Sequence, residues 1–495
     1  MFYITTPIPY TNAKPHLGHL LEAVFNDTIA RFYRRLYPQT ILSMGLDQHG
    51  IKIYQKALEQ NQDPVDYAVE QGKTFKNLWS QFNISYDRFV ETTSIHHKLV
   101  AKIAWSKLAQ KGFIYKKSYE GLYCIGDESF VTEKDLIDGC CPNHPGQKPI
   151  LMKEENYFFT LSKFSNQIRD FLKKADIQPV YVSKEFLNFV DEGLQDISIS
   201  RDKTKMPHGI DIPGDDSQVM YVWFDALLNY LTAVAEPSTL DSLSLNPDNQ
   251  SLQEAVWTQI SESLPIDLMY LGKDIAKFHL VVWIGMLVGL ELELPKRALV
   301  HGFINDSQGR KFSKSLGNGV MPEELVEKFG VDGTRFILLF EVNVDGDTNF
   351  DWYKVTSSYN AHLADNLGNL VMRVTTLVEK LFKGYVDFDE LNSPFDFSEV
   401  YKKLDKLNTR EALEIILKGC SWGNELLEKE KPWQLAKAGK IEEAKEILTK
   451  LCKLLCDISE ILSIFMPETG DKIRTIITNT PITKATPLFP KVDVV

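Results

Sequence analysis

Short apolar runs alternate with amphipathic stretches over the first quarter of the chain. Residues 2–6 and 40–45 read as strands. Between them Leu17, Leu20, Leu21, Val24, Phe25 and Phe32 recur near a 3.6-residue period, with Arg31, Arg34 and Arg35 toward the end, where a helix dipole favours cations. Continued to about residue 115, this alternation predicts a parallel sheet covered by helices, an α/β arrangement. From there to about residue 149 the text is hairpin-like and rich in Gly, Asp and Cys, which suggests an inserted module. Parallel-sheet text resumes at 219–224 and 266–271, continuous apolar runs of the kind expected of strands buried on both faces. A helix over 276–290 and a strand over 297–303 follow. Beyond Asp351, Leu363, Leu367, Leu370, Val371, Val374, Leu377, Val378 and Leu381 keep helical spacing, as do stretches over 398–430 and 441–465. An α-helical bundle is expected there.

Composition narrows the class. At 495 residues the chain exceeds what one core serves, so three or four structural units are expected. A 44% hydrophobic, 25% charged sequence suits a soluble globular protein. No apolar run reaches membrane-span length and residues 1–4 lack the features of a signal peptide, so a cytoplasmic location without a membrane partner is expected. Cys124, Cys140, Cys141, Cys420, Cys452 and Cys456 are too few for a disulfide framework in a chain this long. The formal charge of −12 excludes a uniformly basic surface, so any nucleic-acid contact must use local patches.

The candidate chemistry sits at two points. His16-Leu17-Gly18-His19 follows the first strand and opens a helix, where backbone N–H groups and the helix dipole suit polyphosphate. The two histidines add donors, and Gly18 lets a nucleotide approach the backbone. Lys311-Phe312-Ser313-Lys314-Ser315 supplies charge from a second loop, a division of labour that fits adenylyl transfer from ATP. Asp47, Gln48 and His49 lie just past the carboxyl end of the 40–45 strand, the edge where open α/β sheets bind ligands.

These pieces, with residues 5–10, 45–50, 196–202, 221–226, 272–275 and 431–433 in the same order, resemble the class I aminoacyl-tRNA synthetases, and within them the methionyl-tRNA synthetase family. The resemblance implies a Rossmann-type parallel-sheet catalytic domain in two halves, 1–115 and 219–295. It also implies a connective insertion with a knuckle over 116–218, a lysine-loop and linker region over 296–352, and an all-α anticodon-binding bundle over 353–495. The implied activity is methionine activation by ATP to methionyl-adenylate, then transfer to the 3′ end of tRNA(Met), the initiator included. His16, Gly18, His19, Lys311, Ser313 and Lys314 would bind ATP with its Mg²⁺. His16, His19, Lys311 and Lys314 would act in catalysis with Arg201 as a further electrostatic clamp; the alternative for Arg201 is a surface ion pair with Asp202. The methionine pocket maps to Ile8, Tyr10, Trp223, Ala226, Tyr230, Ile275 and His279, with Asp47 receiving the ammonium. Gln48 and Leu227 depart from the residues common there, Glu and, in one branch, Pro. The CAU anticodon would be read by Asn369, Arg373 and Trp433, the last being otherwise a helix-start packing residue. The knuckle keeps Cys124, Asp127, Cys141 and His144, with Asp in place of a second cysteine, and either holds Zn²⁺ or is metal-free. A monomer is expected. The rivals are an adenylyltransferase that never touches tRNA, a non-catalytic tRNA-binding relative, and a synthetase for cysteine or a branched aliphatic amino acid.

Overall fold

The computed structural model describes residues 1–126, 129–142, 146–312, 318–388 and 391–494. The chain divides into two compact units that it leaves and re-enters. The first comprises Met1–Lys14, Ile41–Lys76 and Tyr86–Val300; the second comprises Pro15–Thr40, Asn77–Ser85 and His301–Val495. The stretch 1–115 is therefore shared between them.

The first unit is built on a six-stranded sheet of β1 (Phe2–Thr5), β2 (Thr40–Leu46), β3 (Arg88–Glu91), β4 (Asp176–Gln178), β5 (Leu268–Gly272) and β6 (Arg297–His301), in the order β3-β2-β1-β5-β6-β4. The pairs β1–β5, β2–β3 and β6–β4 are parallel, with Ile4 beside Leu268, Met44 beside Phe89 and Ala298 beside Ile177. Every residue of β5 is buried, which is why its sequence shows no alternation. Gly45 is required by close approach: a Cβ there would lie 2.2 Å from the Val90 carbonyl oxygen and 2.8 Å from Ile8 Cγ2. The inserted text forms a long antiparallel hairpin, Ile114–Cys124 against Ile150–Phe159, with Ile114 opposite Phe159.

One expectation is overturned. Residues 219–224 are not a parallel strand. Asp215–Met220 is an antiparallel strand between Ser200–Asp202 and Asp211–Ile212, and Val222–Leu227 is a helix. A short apolar run has the same signature in a buried strand and a buried helix, and here Tyr221 is the boundary. Its extended backbone presents the carbonyl that accepts from Asp225 N–H at 3.0 Å and starts the helix.

In the second unit the Leu17–Leu36 helix packs on the Pro322–Glu341 helix. The helices Asn369–Phe382, Thr409–Glu430, Ile441–Leu462 and Pro467–Thr478 continue it as the expected bundle. Within it Arg335 is fully buried, and its Nη2 donates to Asp27 Oδ2 at 2.6 Å. The same guanidinium donates to the Phe465 carbonyl at 2.6 Å and the Phe82 carbonyl at 3.1 Å. Asp27 also accepts from Arg31 at 2.8 Å and from Ser85 N–H at 2.8 Å. Burial alone would raise the Asp27 pKa, but Arg335 and Arg31 outweigh it and hold the carboxyl below its usual range.

Removing one member of such a pair leaves the other charged and buried. Arg335→Leu should therefore lower the stability of the second unit by about 3–5 kcal/mol in denaturant unfolding. A loss below about 1 kcal/mol would mean the pair is dispensable. Because the Asp27 pKa is depressed on folding, its contribution is complete above about pH 4 and disappears as pH falls through the folded-state value.

Candidate active site

In the first unit, three neighbouring strands deliver side chains to one edge. Ile8 and Tyr10 follow β1, Asp47 follows β2, and Ile275 and His279 follow β5. Tyr10 and Asp47 form a parallel bridge: Asp47 N–H donates to the Pro9 carbonyl at 2.9 Å, and Thr11 N–H donates to the Asp47 carbonyl at 3.0 Å. Asp47 is 7% exposed, and its Oδ1 accepts from His49 N–H at 3.3 Å, so the carboxylate is fixed relative to its own backbone.

The helices Val222–Leu227 and Asn229–Thr232 bring Trp223, Ala226 and Tyr230. Trp223, partly exposed, stacks flat on Phe278, centroids 4.0 Å apart and planes 3° from parallel. Tyr230 and His279 are buried and joined through Tyr230 Oη and His279 Nε2 at 2.8 Å. His279 Nδ1 lies 2.9 Å from the Ile275 carbonyl, which can only accept. The imidazole proton therefore sits on Nδ1, Nε2 is an acceptor, and Tyr230 O–H donates to it. Burial lowers the His279 pKa to about 4, which keeps the ring neutral. The pair is thus an uncharged, polarisable wall beside aromatic rings.

In the second unit His16 caps the Leu17–Leu36 helix. His16 Nδ1 accepts from Gly18 N–H at 3.1 Å, His19 Nδ1 accepts from His16 N–H at 3.3 Å, and the rings stack at 3.6 Å. Each neutral ring then carries its proton on Nε2 as a donor. Burial, aided by His16, holds the His19 pKa well below its ordinary value. Lys311 is exposed, with Nζ 4.0 Å from the centre of the Phe303 ring. Asp306 anchors the neighbouring turn by accepting from Arg310 N–H at 2.9 Å and Asn318 Nδ2 at 2.8 Å. Ser313 and Lys314 lie outside the described residues. Arg201, in the first unit, is 6% exposed and lies between the rings of Tyr123 and Tyr221, at 5.4 and 4.3 Å. Its Nη1 donates to the Ser200 carbonyl at 2.7 Å, whereas Asp202 accepts from Thr204, so the surface-pair alternative does not describe it.

The family "tRNA synthetases class I (M)" matches residues 2–147 and 143–375. A methionine–tRNA ligase of Arabidopsis thaliana, chloroplastic/mitochondrial, is 36% identical over 94% of this chain and 75% of its own length. That of Rickettsia felis is 35% identical over 95% of this chain and 91% of its own. The chain belongs to the methionyl-tRNA synthetase family. The fold agrees: the crystal structure of Mycobacterium tuberculosis methionyl-tRNA synthetase bound by methionyl-adenylate superposes with a TM-score of 0.84 at 31% identity, covering 100% of this chain and 98% of that one. No helix among the described residues is long and apolar enough to cross a membrane.

The remaining family positions fall as follows. Asn369 and Arg373 are one turn apart on one helix, and they meet Asn424 at 3.3 Å and Glu428 at 2.5 Å, one turn apart on another. Trp433 is partly exposed near the start of the Pro432–Lys437 helix, which touches the Asn369–Phe382 helix. Cys124 and Cys141 are buried, while Asp127 and His144 lie outside the described residues. Among the described residues no group of three or more His, Cys, Asp or Glu is arranged to hold a metal. Sequence reasoning missed Phe278, the stacking partner of Trp223; its place three residues after Ile275 and one before His279 was the available signal. It also missed that His49, His97, His208 and Asp225 form one buried set: His49 and Asp225 lie in the 45–50 and 221–226 segments, but nothing in the sequence joins them to each other or to His97 and His208.

His279 and His208 both have pKa values lowered by burial, each to about 4. A depressed histidine pKa stabilises the fold fully above the unfolded value near 6.5, and this is lost as pH falls toward the folded value. The first unit should therefore lose stability between about pH 6.5 and 4, and His279→Gln should flatten part of that slope in pH-dependent unfolding. An unchanged slope would show that His279 does not titrate as a buried neutral ring.

Proposed function

We propose that the chain activates L-methionine with ATP, releasing pyrophosphate, and transfers the methionyl group to the 3′ end of tRNA(Met), initiator tRNA included. The observation that carries this reading is the uncharged Tyr230–His279 pair beside the Trp223–Phe278 stack, reached from the same sheet edge as the Asp47 carboxylate. One end of the site suits an ammonium and the other a thioether, for which sulfur–aromatic contacts contribute roughly 0.3–1.5 kcal/mol each. A methionine carboxylate oxygen attacks the α-phosphorus, pyrophosphate leaves in line, and the terminal adenosine of the tRNA then takes the acyl group. No protein nucleophile is required, so catalysis rests on positioning and on charge stabilisation.

In this reading the Nε2–H groups of His16 and His19, with Gly18, hold the ATP phosphates. Lys311, Ser313 and Lys314 neutralise the leaving pyrophosphate, Arg201 adds a fixed positive charge, and Mg²⁺ is held largely by phosphate oxygens. Ile8, Tyr10, Trp223, Ala226, Tyr230, Ile275 and His279 line the methionine pocket. We read 116–218 as the connective insertion and 353–495 as the anticodon-binding domain, in which Asn369, Arg373 and Trp433 recognise CAU. Unpaired bases stack on aromatic rings and hydrogen-bond to Asn and Arg, which supports this assignment. The buried Cys124 and Cys141 thiols suit a zinc ion completed by Asp127 and His144. We further read the protein as a cytoplasmic monomer.

Amino-acid-dependent ATP–pyrophosphate exchange tests the reading. Methionine should support exchange, and exchange with another amino acid alone would overturn the specificity. Trp433→Ala should spare exchange and impair tRNA charging by about tenfold or more, as expected for loss of a base stack worth 1–3 kcal/mol; equal loss of both would mark it as structural. Purified protein should contain about one zinc per chain and lose it with Cys141→Ala; zinc-free wild-type protein would mean a metal-free knuckle.

A further inference from the structure

Asp225 is wholly buried and has no place in the pocket reading, yet it lies between Trp223 and Ala226 on the Val222–Leu227 helix. Its two carboxylate oxygens go to two histidines from distant segments: Oδ2 is 2.6 Å from His49 Nδ1, and Oδ1 is 2.6 Å from His97 Nε2. Both rings are buried, at 2% and 0% exposure. His97 extends the chain of contacts through Nδ1 to Thr232 Oγ1 at 2.9 Å, on the short helix that bears Tyr230. His49 carries it the other way, because its backbone N–H donates to Asp47 Oδ1 at 3.3 Å. The His49 and His208 rings meet edge to face with centroids 5.1 Å apart, and His208 Nε2 donates to the Gln48 carbonyl at 2.6 Å, so the loop after β2 is braced from a second side.

From this geometry we infer that Asp225, acting through His49, is a positioning residue that sets the distance between the Asp47 carboxylate and the thioether-binding wall formed by Trp223, Ala226 and Tyr230. The inference rests on the methionine-pocket reading above. An ionised carboxylate can accept from both imidazoles at once, and each short charge-assisted bond fixes one rotamer and one ring orientation. One end of the strut holds the loop that receives the amino group; the other end holds the helices that enclose the side chain. The separation of those ends is a length measurement on the amino acid, so the device governs selectivity and methionine affinity rather than the ATP side of the reaction. Burial would oppose ionisation of Asp225, yet the two histidines outweigh it and hold its pKa low, at about 2, so the strut keeps its charge over the working range.

An amide at this position can accept from one histidine and not from both. Asp225→Asn should therefore raise the KM for methionine in pyrophosphate exchange by about tenfold to a hundredfold, the scale expected when a binding group is misplaced by about 1 Å. The KM for ATP should stay within about twofold, and the preference for methionine over norleucine in kcat/KM should narrow. A second pair of variants covers a failure of Asp225→Asn to fold. His49→Asn keeps an N–H donor for Asp225 and should hold the KM for methionine within about threefold, whereas His49→Phe fills the space without a donor and should raise it as Asp225→Asn does. Unchanged methionine KM in His49→Phe, or equal rises in the methionine and ATP KM values, would overturn the inference. Absence of methionine-dependent exchange in the unaltered chain would instead remove the pocket reading itself.

Discussion

A carboxylate taken out of water costs several kcal/mol unless opposite charge and hydrogen bonds replace its hydration, and each unit of this chain carries a fully buried carboxylate under that constraint. In the second unit the group is Asp27, satisfied by Arg335 308 positions away, with Arg31 and Ser85 completing its shell. In the first it is Asp225, satisfied by His49 and His97. Neither site can be half made, because a missing partner leaves a charge buried and alone. The segments that carry the partners are therefore fixed in place together: the helix opened by His16 with the helix of Arg335, and the Asp47 loop with the helix of Trp223. Hydrophobic burial supplies most of the folding free energy, but it is indifferent to small slides between elements; these carboxylates are not.

The same economy of partners sets the histidine tautomers, and they come out opposite where opposite chemistry is wanted. At the helix start, backbone N–H groups occupy Nδ1 of His16 and His19, so their protons are carried on Nε2 as donors suited to phosphate oxygen. At His279 a backbone carbonyl takes the Nδ1 proton, which turns Nε2 into an acceptor and commits the Tyr230 hydroxyl proton to it. Backbone groups, which cannot titrate, have thus assigned donors to one site and an uncharged wall to the other. A cationic side chain would lose its hydration against that wall and gain no counter-charge, whereas a thioether loses little hydration on entering it.

Legibility in the sequence followed the range of the interaction. The fully buried β5, the helix after His16 and the bundle after Asp351 were readable because their signals are local: an unbroken apolar run, a 3.6 period and a cap. Asp47 and His279 stood out as candidates because a parallel sheet binds ligands at one edge, whereas Ile8, Tyr10 and Ile275 came from the family resemblance alone. Residues 219–224 misled because five apolar residues beside a tyrosine satisfy a strand and a buried helix equally; the buried Asp225 that follows is what a central strand would not tolerate unpaired. The cluster around Asp225 was unreadable in principle from one sequence, since its partners lie 176 and 128 positions away and no spacing links them. Arg201 hid for a similar reason: its adjacent Asp202 suggested a surface pair, while the rings that cover it come from positions 123 and 221.

Gln48 shows how such distant contacts change the meaning of a substitution. The resemblance leads one to expect glutamate there, and Gln48 adjoins Asp47, which invites the view that it tunes the amino-acid pocket. Its side chain instead is wholly buried against the loop after β3: Oε1 accepts from Thr93 Oγ1 at 2.6 Å, and Nε2 donates to Glu91 Oε1 at 3.3 Å. A glutamate there would face Glu91 with like charge at that distance, and at an effective dielectric near 20 two such carboxylates repel by roughly 5 kcal/mol. The amide removes the repulsion and supplies a donor, while Lys76 at 2.9 Å balances the other Glu91 oxygen. The amide at 48 thus suits the acid at 91 and acts on the support of the Asp47 loop, whose backbone is anchored through Gln48 N–H to Thr92 Oγ1 at 2.9 Å. In the proposed reading the amino group is received by Asp47 itself, held from its own backbone and from the Asp225–His49 contact.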